Sequence, residues 1–91
     1  MFEVRLRSKR VRRELDSLHE TDYQRVIARL KALADIPRPR GCEKLYDDIY
    51  RIRAGDIRII YMINEVNKRI EVGAIRRRSE KTYKGIDNLF G

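Results

Sequence analysis

The hydrophobic pattern of the first third of the chain predicts a short strand followed by two helices. Val4 and Leu6 alternate with charged residues, as in a half-buried strand. Apolar residues then recur every three or four positions in two stretches, which predicts two amphipathic helices. Their apolar positions are Val11, Leu15 and Leu18 in the first and Tyr23, Val26, Ile27, Leu30, Leu33 and Ala34 in the second. The second helix should end before Pro37, which cannot continue it.

Capping residues indicate where each helix should begin. Ser8 has the side chain of a helix N-cap. Thr21 and Gln24 fit a capping box, in which the hydroxyl and the amide satisfy two N–H groups of the first turn. We therefore expect the first helix to begin after Ser8 and the second after Thr21, with a very short turn between them.

Beyond the connector Pro37–Gly41 the hydrophobic period changes from helical to two. Three runs with this period predict consecutive antiparallel strands over Leu45 to Arg53, Ile57 to Ile63 and Arg69 to Arg76. The element order predicts an α+β fold, in which two N-terminal helices pack on one face of a four-stranded, mainly antiparallel sheet. With 91 residues the chain has room for a single domain, residues 1–91, which ends in a short basic segment.

The first hairpin should gather arginines on one face of the sheet. Gly55 and Asp56 predict a two-residue turn, which places Arg53 opposite Arg58 and Arg51 opposite Ile60. Because opposed residues share a face, the three arginines converge, while the apolar residues between them point towards the helices.

The second hairpin should extend this division to the last strand. A loop over residues 64–69 places Ile63 opposite Ile70 and Ile59 opposite Ala74. The residues of the last strand then divide by parity. The apolar face would receive Ile70, Val72 and Ala74, and the arginine face would receive Gly73, Ile75 and Arg77.

The charge of the chain favours an anionic partner. It has 22 Lys and Arg against 14 Asp and Glu, which gives a net charge of +8 and a pI of about 10.1. Nucleic acid, a ribosome, an anionic membrane and an acidic protein all meet this description. The first residues lack a signal-peptide core, no run has the length of a membrane span, and Cys42 is the only cysteine. We therefore expect a cytoplasmic protein without an internal disulfide.

The chemistry available to the arginine face is limited. His19 is the only histidine, and there is no zinc-ligand spacing or glycine-rich phosphate loop, so neither a metal nor a cofactor is expected. Arginine suits phosphodiester cleavage, because its guanidinium binds phosphate through two donors and stays charged. It is a poor proton acceptor. Tyr83 could stack on a base or act on a 2′-hydroxyl, or simply anchor the C-terminal segment. A solvated basic face without a ligand is the simpler alternative.

Residues 50–61, with the sequence YRIRAGDIRIIY, resemble the central signature of RelE-type toxins in the RelE/ParE superfamily. Residues 77–83, RRSEKTY, are similar to the C-terminal motif of its RNA-cleaving branch. The similarity in element order covers nearly the whole chain. The resemblance implies the toxin of a type II toxin–antitoxin system. Such a protein is a metal-independent endoribonuclease, or mRNA interferase, that inhibits translation by cutting messenger RNA in the ribosomal A site through attack of the 2′-hydroxyl.

The resemblance also implies roles for individual residues. The expected catalytic residues are Arg53, Arg58, Arg77 and Tyr83. The expected RNA contacts are Arg51, Arg53, Arg76, Arg78 and Lys81. If the register slips by one residue, Arg76 or Arg78 takes the place of Arg77. The family often has lysine at the positions of Arg51 and Arg53, which leaves a lysine-type proton role without a counterpart here.

The partners implied by the resemblance are messenger RNA, the ribosome and an acidic antitoxin that binds the toxin as a hetero-oligomer. No membrane partner is expected. Two alternatives remain at this point. One is a ParE-like poison of DNA gyrase, a branch that shares the central signature but does not need the terminal arginine and tyrosine. The other is a non-catalytic protein that binds RNA or the ribosome.

Overall fold

The computed structural model describes residues 1–77 and Phe90, and these residues form two helices and one five-stranded sheet. The elements follow the chain in the order β1 (Glu3–Leu6), α1 (Lys9–Asp16), α2 (Glu20–Asp35), β2 (Glu43–Tyr46), β3 (Ile49–Ala54), β4 (Ile57–Asn64) and β5 (Arg69–Arg77). The strand order across the sheet is β1-β5-β4-β3-β2. β1 runs parallel to β5, and the other neighbours are antiparallel. The α+β class is confirmed.

The predicted number of four strands is wrong, because the run from Leu45 to Arg53 forms two strands. A turn at Asp47 and Asp48 separates β2 from β3, and the two strands pair with each other across it. Asp47 has a φ of +48°, a left-handed conformation that aspartate adopts more readily than most residues. Asp47 and Asp48 are adjacent polar residues that interrupt the hydrophobic alternation, and the prediction of one continuous strand did not take this break into account.

The two helix starts differ in how well capping residues predict them. The Ser8 hydroxyl accepts a hydrogen bond from the Val11 N–H at 3.4 Å, so the predicted cap of α1 is confirmed. α2 begins two residues earlier than predicted, after His19 rather than after Thr21, and the capping box is wrong. The Gln24 side chain donates instead to the Glu20 carboxylate at 2.8 Å. Within residues 1–77 neither helix is both long and apolar enough to span a membrane.

The hydrophobic core lies between the helices and one face of the sheet, which we call the inner face. α1 contributes Val11 and Leu15, and α2 contributes Val26, Leu30 and Leu33. They pack against alternating residues of the three central strands. These strand residues are Tyr50, Ile52, Ala54, Ile57, Ile59, Tyr61, Ile63, Ile70, Val72 and Ile75. The inner-face positions predicted for β3 and β4 are therefore confirmed.

A β-bulge in β5 overturns part of the register predicted for the second hairpin. Ile63 does pair with Ile70, but Ile59 pairs with Ile75 rather than with Ala74. Gly73 is the extra residue, since Ile60 pairs with Ala74 while the next residue of β4 pairs with Val72. An inserted residue reverses the parity beyond it. Consequently Ile75 is buried in the core, and Ala74 packs on the opposite face of the sheet, which we call the outer face.

Tyr61 is fully buried in the core, and its hydroxyl donates a 2.7 Å hydrogen bond to the Pro37 carbonyl. This bond attaches the connector between α2 and β2 to the sheet. Burial raises the pKa of Tyr61 well above its usual value of about 10, and the neighbouring Cys42 thiol adds to the increase. The folded protein therefore binds this proton more tightly than the unfolded chain does.

We expect the stabilising effect of this bound proton to disappear at alkaline pH. Because the pKa is higher in the folded state, the contribution is complete below about pH 10 and is lost as the pH rises above it, at up to about 1.4 kcal/mol per pH unit. Urea unfolding of the wild type and Tyr61→Phe between pH 8 and 11 measures the difference. The wild type should lose stability more steeply above pH 10, and parallel curves would contradict the assignment. At pH 8 the variant should be about 1 kcal/mol less stable, because it lacks the hydrogen bond.

Candidate nucleic-acid interface

Three arginines lie side by side across the outer face at one end of the sheet. Arg53 of β3 pairs with Arg58 of β4, as predicted, and Arg58 pairs in turn with Arg76 of β5. We call these three residues the arginine row. Arg53 is exposed, whereas Arg58 and Arg76 are half-buried. Like charges in directly opposed positions repel one another, so a polyanion that binds across the row would relieve this repulsion.

Arg51 lies next to the row, two residues before Arg53 on the same face of β3. Its guanidinium forms an ion pair with Glu43 of the edge strand β2, opposite which it lies in register. Only 12% of the Arg51 side chain is exposed, so this arginine borders the row as a neutralised pair rather than as an open cation. Arg53 offers the more accessible charge.

Arg77 does not lie in the arginine row, contrary to the predicted register. It pairs with the core residue Ile57, and its guanidinium is 3.6 Å from the Asp22 carboxylate of α2. The bulge at Gly73 is the cause, because it shifts the parity of β5 by one residue. Arg76 takes the position opposite Arg58 that the regular alternation assigned to Arg77. Both arginines stay at the same end of the sheet.

Glu14 of α1 is a residue near the row for which the sequence gives no signal. Its carboxylate accepts a hydrogen bond from Arg76 Nε at 2.9 Å and one from the Ile75 N–H at 3.1 Å. In the sequence Glu14 occupies a polar position of an amphipathic helix, as many surface glutamates do. Only the packing of α1 along β5 brings it to the row.

The floor of the outer face beside the row is apolar. Ile49, Ile60 and Ala74 form a small buried cluster that partly buried apolar side chains surround. Phe90 belongs to these side chains, and its ring lies over Gly73, where a Cβ atom would be 2.4 Å from the nearest ring carbon. Arg7 donates a 2.8 Å hydrogen bond to the Phe90 carbonyl. Gly73 therefore provides the space in which Phe90 reaches the sheet.

The remaining predicted site residues, Arg78, Lys81 and Tyr83, lie outside the described part of the chain. The structure thus brings Arg53, Arg58 and Arg76 together, places Arg51 beside them, and sets Arg77 on the neighbouring pleat. Planar guanidinium groups in such a row can bind successive or shared phosphate oxygens through pairs of N–H donors.

The protein has two helices on the inner face of a mixed sheet and a row of arginines on the outer face. It is therefore a small basic α+β protein with a cationic sheet face. The family described as "ParE toxin of type II toxin-antitoxin system, parDE" matches residues 6–82. The chain therefore belongs to this family of type II toxins, within the RelE/ParE superfamily.

Solved structures of RelE proteins share the fold. In the archaeal RelE–RelB complex from Pyrococcus horikoshii OT3 the matching chain is 29% identical, with a TM-score of 0.74 over 87% of this chain and 97% of that one. The RelBE2 toxin–antitoxin complex of Mycobacterium tuberculosis matches at 21% identity, with a TM-score of 0.73 over 85% and 98%. The isolated E. coli RelE toxin matches at 15% identity, with a TM-score of 0.77 over 97% of both chains. A comparison with curated protein sequences gives no match.

Proposed function

We propose that this toxin is an endoribonuclease that cleaves messenger RNA in the ribosomal A site and so inhibits translation in the cytoplasm. The observation that carries the proposal is the arginine row, in which Arg53, Arg58 and Arg76 lie in register across three adjacent strands. The 29% identity to an archaeal RelE protein supports the ribonuclease branch over a gyrase poison.

The row suits a reaction in which negative charge builds up on a phosphodiester. The ribose 2′-oxygen forms a bond to phosphorus, and the bond to the 5′-oxygen breaks. This leaves a 2′,3′-cyclic phosphate on one fragment and a 5′-hydroxyl on the other. Guanidinium groups held in place before the reaction stabilise the extra charge of the five-coordinate phosphorus, at about 3–4 kcal/mol for each well-placed donor. In our proposal Arg58, at the centre of the row, binds the scissile phosphate.

The other site residues have supporting roles in the proposal. Arg53 and Arg76 flank the scissile phosphate, and Arg51 contacts the RNA beside it. Arg77, Arg78 and Lys81 bind the RNA backbone further along. Tyr83 stacks on a base or takes the proton from the 2′-hydroxyl, which no arginine does readily.

An apolar groove on the far side of the molecule suits the antitoxin. It has a volume of about 410 Å³ and lies between β1 and the two helices. Its apolar lining includes Val4, Leu6, Leu15, Ile27 and Leu30, and its charged lining residues are Arg12, Lys31 and Asp35. An amphipathic helix with an acidic polar face would bury its apolar side there and pair with Arg12 and Lys31. The relatives from P. horikoshii and M. tuberculosis are toxin–antitoxin complexes, which supports a protein partner of this kind.

The test of the proposed function is to add the purified toxin to a translating extract and to map the ends of the ribosome-bound messenger. We expect cuts at A-site codons within minutes, with 2′,3′-cyclic phosphate ends. Salt-sensitive RNA binding without cuts would indicate the non-catalytic alternative, because phosphate contacts alone give steep salt dependence. Intact messenger together with inhibited DNA supercoiling in a parallel gyrase assay would replace the ribonuclease with the gyrase poison.

A further inference from the structure

Glu14 makes contacts that connect α1 to the arginine row. Its Oε2 atom accepts hydrogen bonds from Arg76 Nε at 2.9 Å and from Arg10 Nη1 at 3.1 Å. Its Oε1 atom accepts a third from the Ile75 N–H at 3.1 Å. About 20% of each side chain is exposed in the Glu14–Arg76 ion pair, so solvent screens this pair less than an open surface pair.

These contacts exist because β1 is shorter than β5. Within residues 1–77, β1 pairs with β5 only as far as Val72, so no strand of this part of the chain lies beside the end of β5 on that side. α1 occupies this edge instead. The Arg10 guanidinium donates to the Gly73 carbonyl at 2.9 Å, and Glu14 accepts from the N–H two residues further along. The same side chains thus satisfy the backbone of the bulge and of the residue that precedes Arg76.

The hydrogen bond between Glu14 and Arg76 restricts the Arg76 side chain and lowers the charge repulsion within the arginine row. An arginine side chain has many rotamers, and an Nε–carboxylate hydrogen bond restricts it to few of them. A guanidinium carries five N–H donors, and this bond uses the one on Nε. The bond to Glu14 does not use the four donors on the two Nη atoms. These donors form the planar pair of N–H groups that binds phosphate. The carboxylate also offsets the repulsion between Arg76 and Arg58, which lie directly opposite each other.

We infer that Glu14 is a positioning residue of this site: it holds the Arg76 guanidinium in place beside Arg58 before RNA binds. The inference rests on the proposed function, since the benefit of a held guanidinium is a faster reaction at the phosphate. Glu14 itself touches no reacting atom. Glu14 accepts hydrogen bonds from three donors, whereas an ordinary helix-surface glutamate forms at most an exposed ion pair.

The substitution that tests this inference is Glu14→Gln, which keeps the side-chain shape and one carbonyl oxygen for the Ile75 N–H. We expect single-turnover cleavage of ribosome-bound messenger to slow by about 10- to 100-fold, as for a misplaced catalytic group. RNA binding should not weaken, because the substitution removes a negative charge and thereby raises the net positive charge. If Glu14 only stabilised the fold, Glu14→Gln would lower the melting temperature. It would not slow cleavage while leaving RNA binding unweakened.

Glu71→Gln is the matched control. Glu71 lies on the same strand as Arg76 and pairs with Arg7 at 3.0 Å, with a similarly small exposed fraction of 21%, but it lies at the opposite end of β5. The control should cleave at the wild-type rate. The Nε–Hε resonance of Arg76 in a nitrogen-15 NMR spectrum gives a second measurement that does not depend on activity. Slow exchange of this proton should persist in Glu71→Gln and be lost in Glu14→Gln.

Combining Glu14→Gln with a substitution of Arg76 shows whether Glu14 acts through Arg76 or through a general electrostatic effect on the site. In an Arg76→Ala background, adding Glu14→Gln should change the rate by less than about twofold, because the partner is already gone. If Glu14→Gln fails to fold by circular dichroism, Arg76→Lys replaces it. This variant keeps Glu14 and its backbone bond, removes the Nε–carboxylate geometry, and should show a similar loss of rate.

The outcomes distinguish this inference from the proposed function. Equal cleavage by wild type, Glu14→Gln and Arg76→Lys would overturn the positioning role and leave the ribonuclease intact. A wild-type protein that cuts no messenger would refute the ribonuclease and this inference with it. A slower Glu14→Gln with unweakened RNA binding, a normal Glu71→Gln and no added effect in Arg76→Ala would support it.

Discussion

Replacing Arg58 with alanine is expected to slow RNA cleavage by about 100- to 1000-fold, the loss that follows removal of one preorganised charge-stabilising donor. Arg58 lies in the middle of the arginine row, between Arg53 and Arg76, on the central strand β4. Any phosphate that contacts two members of the row must therefore contact or approach Arg58. Single-turnover cleavage of ribosome-bound messenger measures the effect. Arg58→Lys, which keeps the charge and lacks the planar fork, should retain more activity than the alanine variant.

The control for this prediction removes the same charge from the same sheet at another place. Arg5 of β1 is exposed and its guanidinium pairs with Glu3, at the edge of the sheet farthest from β2 and β3. Arg5→Ala should cleave within about twofold of the wild type, although both variants lose one positive charge. Similar rates for Arg5→Ala and Arg58→Ala, with both proteins folded by circular dichroism, would show that only net charge matters and would remove the row from the mechanism.

The largest effect on stability is expected for Ile59→Ala. Ile59 is fully buried on the inner face of β4, where it pairs with Ile52 and Ile75 on the two neighbouring strands. Truncation leaves a cavity between the sheet and the helices, and such a change costs about 2–5 kcal/mol. A domain of this size has a total stability of about 5–14 kcal/mol, so the variant should lose a large share of it. Urea unfolding monitored by circular dichroism measures the loss.

Val66→Ala is the control for the cavity. Val66 lies in the loop between β4 and β5, and 91% of it is exposed. Its truncation removes both γ-methyl groups, one carbon fewer than Ile59→Ala removes, but leaves no cavity, so the free energy of unfolding should change by less than about 0.5 kcal/mol. An Ile59→Ala variant as stable as Val66→Ala would contradict the position of Ile59 at the centre of the core.

Much of the first hairpin was predictable from local chemistry. Gly55 and Asp56 allow only a short turn, and a two-residue turn determines every pair that follows it. Arg53 therefore had to oppose Arg58, and the apolar residues of both strands had to share the inner face. The two helices were predictable for the same reason, because their apolar stripes and the Ser8 cap depend on near neighbours in the chain.

The features that the sequence did not reveal depend on contacts between distant residues. The bulge at Gly73 adds one residue to β5, and there Arg10 donates to the bulged carbonyl while the Phe90 ring lies over the glycine. Strict alternation contains no such information, and it assigned Arg77 to the position that Arg76 occupies. The partner of Arg76, Glu14, lies 62 residues away in the chain.

By itself, then, the sequence determined the α+β class, the inner face of the central strands and the pairing of Arg53 with Arg58, because side-chain periodicity and turn length are local properties. Only the tertiary structure decided that Arg76 completes the row, because one inserted residue reverses the parity of everything beyond it. The packing of α1 along the open edge of β5 likewise brought Glu14 to Arg76. Whether a helix packs against the edge of β5 depends on how far β1 extends along β5. No single segment of the chain encodes this relation.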